Sequence, residues 1–309
     1  MTANFVEGKI SVIIPACNEG DELGHTINSI IESEKPFGTP SEDTLEIIVI
    51  SNGTPKEPKN IPDLPYVKLH HFPSQLGVAG GRNLGTSLAT GDYLIIVDGH
   101  MRFDSKALRM LSTTAEEKQA WCCGKVHALT PEGNKGAERV SGAAPRFHYD
   151  RYMGYRYINL GEGVAETKFI TGAFFCVPKT VFADWGYWQN TVGKWGYSEE
   201  GLAIKNFFLD KKMYYNIDAV ASHKYRNSNP YPVTGQDRWW NATQTHYIYF
   251  DDDSFNNYWL PIFKPRCNPN AINGILSDPA NKQAKEEFAK VKKKTDREFF
   301  NDYLSVHAQ

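Results

Sequence analysis

Ten residues constrain this chain more than any others: Gly91-Asp92-Tyr93-Leu94-Ile95-Ile96-Val97-Asp98-Gly99-His100. The apolar, partly β-branched run reads as a fully buried strand, which places it in the middle of an α/β sheet. It stops abruptly at an acid, a glycine and a histidine. The carboxyl end of a core strand is where open α/β sheets bind their ligands. Two residues apart in extended chain, Asp98 and His100 point the same way, and Gly99 lets backbone or ligand come close. A carboxylate oxygen and an imidazole nitrogen aimed at one point suit a borderline divalent ion such as Mn²⁺. A strand-end turn, with Asp98 and Gly99 as turn formers and His100 exposed, accounts for these ten residues equally well.

The flanking sequence supplies the rest of the sheet. Lys9–Pro15 is a buried strand, followed by the polar loop Ala16–Glu22 and then Leu23, Ile27, Ile30 and Ile31 at helical spacing. Leu45–Ile50 is a second buried strand ending in Ser51-Asn52-Gly53, and Tyr66–His71 is a third, more polar one. Gly77 to Gly85 leads into a helix that ends near Gly91. Strand, helix, strand, strand, helix, strand predicts a mostly parallel central sheet with helices on both faces. Further strands are expected at Trp121–Val126, Phe169–Val177 and Met213–Ile217, and a helix at Gly201–Leu209. Thr130 to Lys168 shows no clear periodicity and reads as long connections. Residues 1–232 are expected to form the main domain, and 233–309 an aromatic-rich helical extension packed on it.

Bulk composition removes several classes. Hydrophobic residues make up 41% and charged residues 23%, enough for a sizeable core in a soluble chain. A net charge of −2 argues against nucleic-acid binding driven by bulk charge. No apolar run approaches the roughly 18 residues of a membrane span, and Met1–Lys9 lacks the apolar segment of a signal peptide. Five scattered cysteines (Cys17, Cys122, Cys123, Cys176, Cys267) without a CxxC pair favour reduced thiols, and hence a cytoplasmic protein. In that setting the sequon Asn241-Ala242-Thr243 is a chance match.

Three more segments carry chemistry. Glu199 and Glu200 open a predicted helix, where acids are favoured by the helix dipole. The preceding Trp195-Gly196-Tyr197 marks a tight loop, so a carboxylate there is also placed to act as general base toward a hydroxyl. His223, in Ser222-His223-Lys224-Tyr225-Arg226, is by itself more readily a structural histidine than a ligand. The glycine run before Arg82 has neither the GxGxxG nor the GxxxxGK pattern, which argues against a Rossmann cofactor site or a P-loop. Arg82 remains a candidate for bidentate contact with a diphosphate, or a surface arginine at a helix start.

The joint order of these segments resembles a GT-A fold glycosyltransferase of the large family 2 type, with features similar to polypeptide N-acetylgalactosaminyltransferases. Val12–Glu19 resembles the family's first strand and nucleotide-binding loop, carrying Pro15, Ala16, Asn18 and Glu19. Gly80-Gly81-Arg82-Asn83 resembles its Arg-Asn segment, and Asp98-Gly99-His100 its D-x-H metal motif. Thr171–Phe175 resembles the strand beside the acceptor, Ser198-Glu199-Glu200 sits at the family's Glu-Asp pair, and His223 matches the third metal ligand of D-x-H members. Two positions depart from the pattern. Asn52 stands where the family carries an acid that contacts the base, and Glu200 replaces the commoner aspartate.

The resemblance implies a nucleoside-diphosphate sugar, UDP-linked, as donor and Mn²⁺ or Mg²⁺ held by Asp98, His100 and His223. It also implies Asn18, Glu19 and Asn52 around the nucleoside, Arg82 and Gly99 near the diphosphate, and Glu200 as base in an inverting transfer with Glu199 beside it. The D-x-H and third-histidine features also occur in retaining relatives. For the acceptor, a glycan or polymer precursor, a protein and a modified DNA base all stay open. The aromatics Tyr231, Trp239, Trp240, Tyr247, Tyr249 and Trp259 serve either as stacking surfaces or as anchors for the C-terminal helices. Two other classes compete: a non-catalytic sugar-nucleotide-binding module, and a nucleotidyltransferase. The latter calls for a Gly-rich basic loop after the first strand, which Ala16-Cys17-Asn18-Glu19 is not.

Overall fold

A computed structural model of the protein describes residues 5–140, 143–147, 153–157, 161–189, 193–226 and 231–304. The first hundred residues follow the expected order. β1 (Ile10–Ala16), α1 (Glu22–Glu34), β2 (Leu45–Asn52), β3 (Val67–Phe72), α2 (Gly77–Leu88) and β4 (Tyr93–Val97) alternate along the chain. β1 pairs in parallel with β2 on one side and β4 on the other, and β3 lies parallel outside β2.

Beyond β4 come β5 (Met101–Phe103), α3 (Ala107–Lys118), β6 (Trp121–Leu129), β7 (Lys135–Val140), β8 (Ala143–Phe147), β9 (Met153–Tyr157), β10 (Val164–Thr167), β11 (Phe174–Pro178), α4 (Lys179–Trp185), α5 (Ser198–Phe208) and β12 (Met213–His223). The main sheet runs β10-β12-β6-β11-β4-β1-β2-β3, with β5 on β12 and β7 on β6. It is mixed: β11 lies antiparallel between β4 and β6, and β10 and β5 are antiparallel to β12. The parallel reading therefore holds for the first four strands and for β6 with β12, with antiparallel β11, β10 and β5 set among them. Thr130–Lys168 is corrected in part, since β7 and β10 join the sheet there and β8 pairs with β9. Residues 141–142, 148–152 and 158–160 of that stretch lie outside the described residues.

Alternation of side chains across the strands divides the core into two layers. Ile10, Val12 and Ile14 of β1 pack with Leu23, Ile27 and Ile30 of α1 and with Leu108 and Leu111 of α3. Ile13, Ile48 and Ile96 face the other way, toward Ala79 of α2, Leu202 and Ile204 of α5, and the C-terminal helices. Those helices are α6 (Gly235–Tyr249), α7 (Asp252–Ser254), α8 (Leu260–Phe263), α9 (Pro269–Ser277), α10 (Pro279–Val291) and α11 (Asp296–Leu304). Trp259, Phe263 and Phe299 belong to the same apolar cluster as β1 and α5. At the other end of β4, buried Glu46 accepts hydrogen bonds from Ser11 Oγ, Thr90 N and Gly91 N. A Cβ on Gly91 would lie 2.5 Å from Ser11 Oγ, so only glycine fits where β4 begins.

Candidate active site

The strand order makes a switch point between β1 and β4, because β2 and β3 extend the sheet one way and β4 the other. The β1–β4 ladder ends at Ile13↔Ile96, two residues before Pro15, which has no N–H to continue it. There the carboxyl ends diverge around a cavity of about 380 Å³. Pro15, Ala16, Glu19, Asn52, Arg82 and Asp98 are among the residues that line it.

The Asp98-Gly99-His100 link joins β4 to the short β5, which pairs antiparallel with the end of β12 in the register Met101↔His223. Lys224 N donates to His100 O at 3.1 Å and closes the arrangement. In consequence, one ligand atom from each of Asp98, His100 and His223 lies within 4.8 Å of the others. His223 Nε2 is 3.1 Å from Asp98 Oδ2, and the two imidazole rings have centroids 4.6 Å apart. Burial works to raise the Asp98 carboxyl, but the hydrogen bond and charge of His223, with His100 and Arg82, outweigh it and hold it at about 2. A divalent ion with bonds of about 2.1 Å holds its ligands roughly 3–4.2 Å apart, so this donor set fits one with small adjustments.

Glu19 supports the cluster from β1's loop. Its Oε2 lies 2.9 Å from His100 Nδ1 and also accepts from Arg226. The carboxylate–imidazole pair fixes the ring of a metal-binding histidine and leaves Nε2 to face an ion. Gly99 makes room for it: a Cβ there would come within 2.8 Å of Glu19 Cγ.

The opposite wall is the start of α5. Asn241 of α6 holds the preceding loop, with its Nδ2 donating to Gly196 O at 2.8 Å and its Oδ1 accepting from Gly193 N at 2.7 Å. The two adjacent acids then part. Glu199 lines the cavity, where its Oε1 accepts from Arg82 Nη2 at 2.8 Å and its Oε2 from Ser198 Oγ at 2.9 Å. Glu200 turns toward α6, is 1% exposed and pairs with Arg238 Nη2 at 2.5 Å. Burial raises the Glu200 carboxyl to about 7, with Arg238 opposing and Glu199 adding to the rise. The base role expected of Glu200 thus meets a side chain outside the cavity lining, because successive helical positions differ by about 100° in direction. Gly172 is the space that Glu199 occupies: a Cβ there would lie 2.2 Å from Glu199 Oε1.

Arg82, 4% exposed on α2, lies over the Phe175 ring at 5.1 Å. Its Nη1 is buried with no partner among the described residues, a costly state for a guanidinium N–H. The glycines around it serve close packing of α2 on the sheet. A Cβ at Gly85 would lie 2.3 Å from Ile13 Cγ2, and one at Gly81 3.2 Å from Pro15 Cβ.

Residues 11–186 match the sequence profile described as glycosyl transferase family 2. The chain belongs to that family. Human polypeptide N-acetylgalactosaminyltransferase 10 is 25% identical over 241 residues, which cover 72% of this chain and 39% of that protein. Glycosyltransferase GlyG of Streptococcus pneumoniae serotype 4 (strain ATCC BAA-334 / TIGR4) is 24% identical over 212 residues, 67% of this chain and 58% of that protein. The chain therefore spans well under two thirds of the length of either relative. Among solved structures, GalNAc-T7 with UDP, GalNAc and Mn²⁺ aligns with a TM-score of 0.72 at 17% identity, covering 96% of this chain and 57% of that one. S. aureus TarS 1–349 in complex with UDP-GlcNAc aligns at 0.54 and 13% identity, covering 92% and 82%. These likenesses show the GT-A fold.

In this family 2 chain the structure gathers Pro15, Ala16, Glu19, Asn52, Arg82, Asp98, Gly99, His100, Glu199 and His223 around one cavity, and leaves Asn18 and Glu200 off its lining. Asn18 is exposed, with a positive φ of 54° and its N–H donating to Thr54 Oγ1. Asn52 lines the cavity, yet its amide is spent on the β2–α2 junction, donating to Gly77 O at 2.8 Å and accepting from Leu76 N at 2.5 Å. Glu19's partnership with His100 and Arg226 was not legible, since nothing local in sequence signals a pair 81 or 207 residues apart. Of the C-terminal aromatics, Tyr231 lines the cavity, whereas Tyr249 and Trp259 are core residues. All five cysteines are free and buried, and burial pushes the Cys123 thiol up to about 11. Among the described residues no helix is long and apolar enough to cross a membrane.

Proposed function

We propose that the chain is a metal-dependent glycosyltransferase that moves a sugar from a nucleoside-diphosphate sugar to an acceptor hydroxyl, with inversion at the anomeric carbon. The observation that carries this reading is the convergence of Asp98, His100 and His223 at the switch-point cavity of a family 2 fold. These three residues would hold Mn²⁺ or Mg²⁺. When bound, the ion neutralises the negative charge that develops on the departing diphosphate. Both fold neighbours were solved with UDP or a UDP-sugar, which makes UDP-sugars the first donors to test.

The chain's own residues do the rest. Glu19 holds the His100 ring, and Pro15, Ala16 and Gly99 present a close-packed floor on which the donor rests. Arg82 offers its unpartnered Nη1 to an oxygen of the diphosphate. Glu199, the cavity member of the acid pair, accepts the acceptor's hydroxyl proton while the new carbon–oxygen bond forms and the sugar–phosphate bond breaks. The donor site falls within residues 1–232, which we take as the catalytic unit, with 233–309 as its helical extension. The five free, buried thiols support a cytoplasmic setting.

The test is anomeric analysis of the product by NMR, with a UDP-sugar donor, Mn²⁺ and acceptors drawn from glycans, peptides and modified DNA bases. An inverted product supports Glu199 as base. A retained one overturns that assignment.

A further inference from the structure

A second cavity of about 670 Å³ opens between α4, the end of α5, α6 and α10. It shares no lining residue with the donor cavity. Its floor is Lys205 of α5, 9% exposed. The ammonium donates to Tyr187 O at 3.0 Å and lies 3.9 Å from the centre of the Trp185 ring. Among the described residues no carboxylate pairs with it, so a buried amine lines the cavity without a counter-ion. Burial lowers Lys205 to about 7, the direction expected of an amine without a counter-ion.

The surroundings add positive charge. Among the described lining residues there are five lysines and two carboxylates. Asp184 is engaged by Lys211, Lys292 pairs with Asp251 and Asp296 outside the lining, and Glu287 accepts from Gln283, so the added positive charge comes from Lys290 and Lys293. Tyr187, 53% exposed, stands at the rim, and Tyr249 and Phe288 supply apolar wall. An amine at the floor, further lysines above it and aromatic sides match a small anion attached to a ring-bearing body.

We propose that this cavity is a second binding site, distinct from the donor site, for a phosphate monoester of sugar size, whose phosphoryl oxygens accept from Lys205. The ligand supplies the counter-charge that the fold omits, and its ring lies against the exposed Tyr187 at the rim.

The experiment is calorimetric titration of the full chain with a hexose phosphate, inorganic phosphate and the neutral hexose. The expected order is hexose phosphate tightest, inorganic phosphate weaker and neutral hexose without binding. Lys205→Met weakens the hexose phosphate about tenfold or more, while His223→Ala, which disables only the proposed metal site, leaves it unchanged. A second readout needs no variant: acylation of Lys205, followed by mass spectrometry, slows when hexose phosphate is bound. Equal binding of phosphate and hexose phosphate reduces the site to an anion hole and overturns the ring-bearing ligand. Binding of the neutral hexose alone, or Lys205 acylation unchanged at saturating hexose phosphate, overturns the proposal altogether.

Discussion

His223 Nε2 lies 3.1 Å from Asp98 Oδ2, although 125 residues separate them in the chain. Three residue pairs of antiparallel ladder between β5 and the end of β12 bring them together. β6 holds the end of β12 as far as His223↔Ala128, and the pairing of β5 then fixes the D-x-H turn against it. The metal cluster depends on the last strand added to the sheet as much as on the motif itself.

Glu19 should act through His100. Its Oε2 lies 2.9 Å from His100 Nδ1, and replacing such a supporting carboxylate costs about 10–100-fold in metal affinity. Glu19→Gln should weaken Mn²⁺ binding by that factor, measured by titration calorimetry, with little change in Tm. Unchanged Mn²⁺ affinity would mean that Glu19 serves only to hold Arg226.

The two adjacent acids should separate by turnover. Glu199→Gln should lower kcat by about 10²–10⁴, because it removes the cavity carboxylate, and should also lower Tm, because it weakens the contact with buried Arg82. Glu200→Gln should lower stability by about 1–3 kcal/mol through the weakened contact with Arg238, and leave kcat within about tenfold. Loss of turnover in Glu200→Gln at an unchanged melting temperature would reverse the roles.

That division marks what sequence reading reaches. The strand ending in Asp98-Gly99-His100, the order of β1 to β4 and the family's motifs were all legible, because each is written in a run of adjacent residues. Which member of Glu199-Glu200 faces the cavity was not, since it depends on the roll of α5 against Arg238 of α6. Asn52 shows the same limit: its position at the end of β2 was visible, but not that its amide would be consumed by Leu76 and Gly77. β12 was expected to stop near Ile217, and its continuation to His223 passes through a register shift between Asn216 and Val220 that periodicity cannot show.

His246 should make the fold acid-sensitive. It is fully buried on α6 among Phe250, Trp259 and Phe263, and burial pushes it down to about 3 against the opposing hydrogen bond to Ala242 O. In the unfolded chain it titrates near 6.5, so between those values only the unfolded state holds the proton. Stability should therefore fall as pH drops through that window, by about 1.4 kcal/mol per unit from this residue. Urea denaturation at pH 6.5 and 5 should show a loss about 2 kcal/mol smaller in His246→Phe than in the parent protein. Equal losses would show that His246 does not contribute.

The central claim is that Asp98, His100 and His223 form one metal site on which donor binding depends. Thermal melting with Mn²⁺ alone, UDP alone and both together tests it directly, because a ligand bound only to the native state raises Tm by mass action. The parent protein should show a shift with both present that exceeds the sum of the separate shifts. His100→Ala and His223→Ala should each lose that excess while melting, without ligand, close to the parent. If both variants keep it, the three residues do not hold the ion, and the account of the site is wrong.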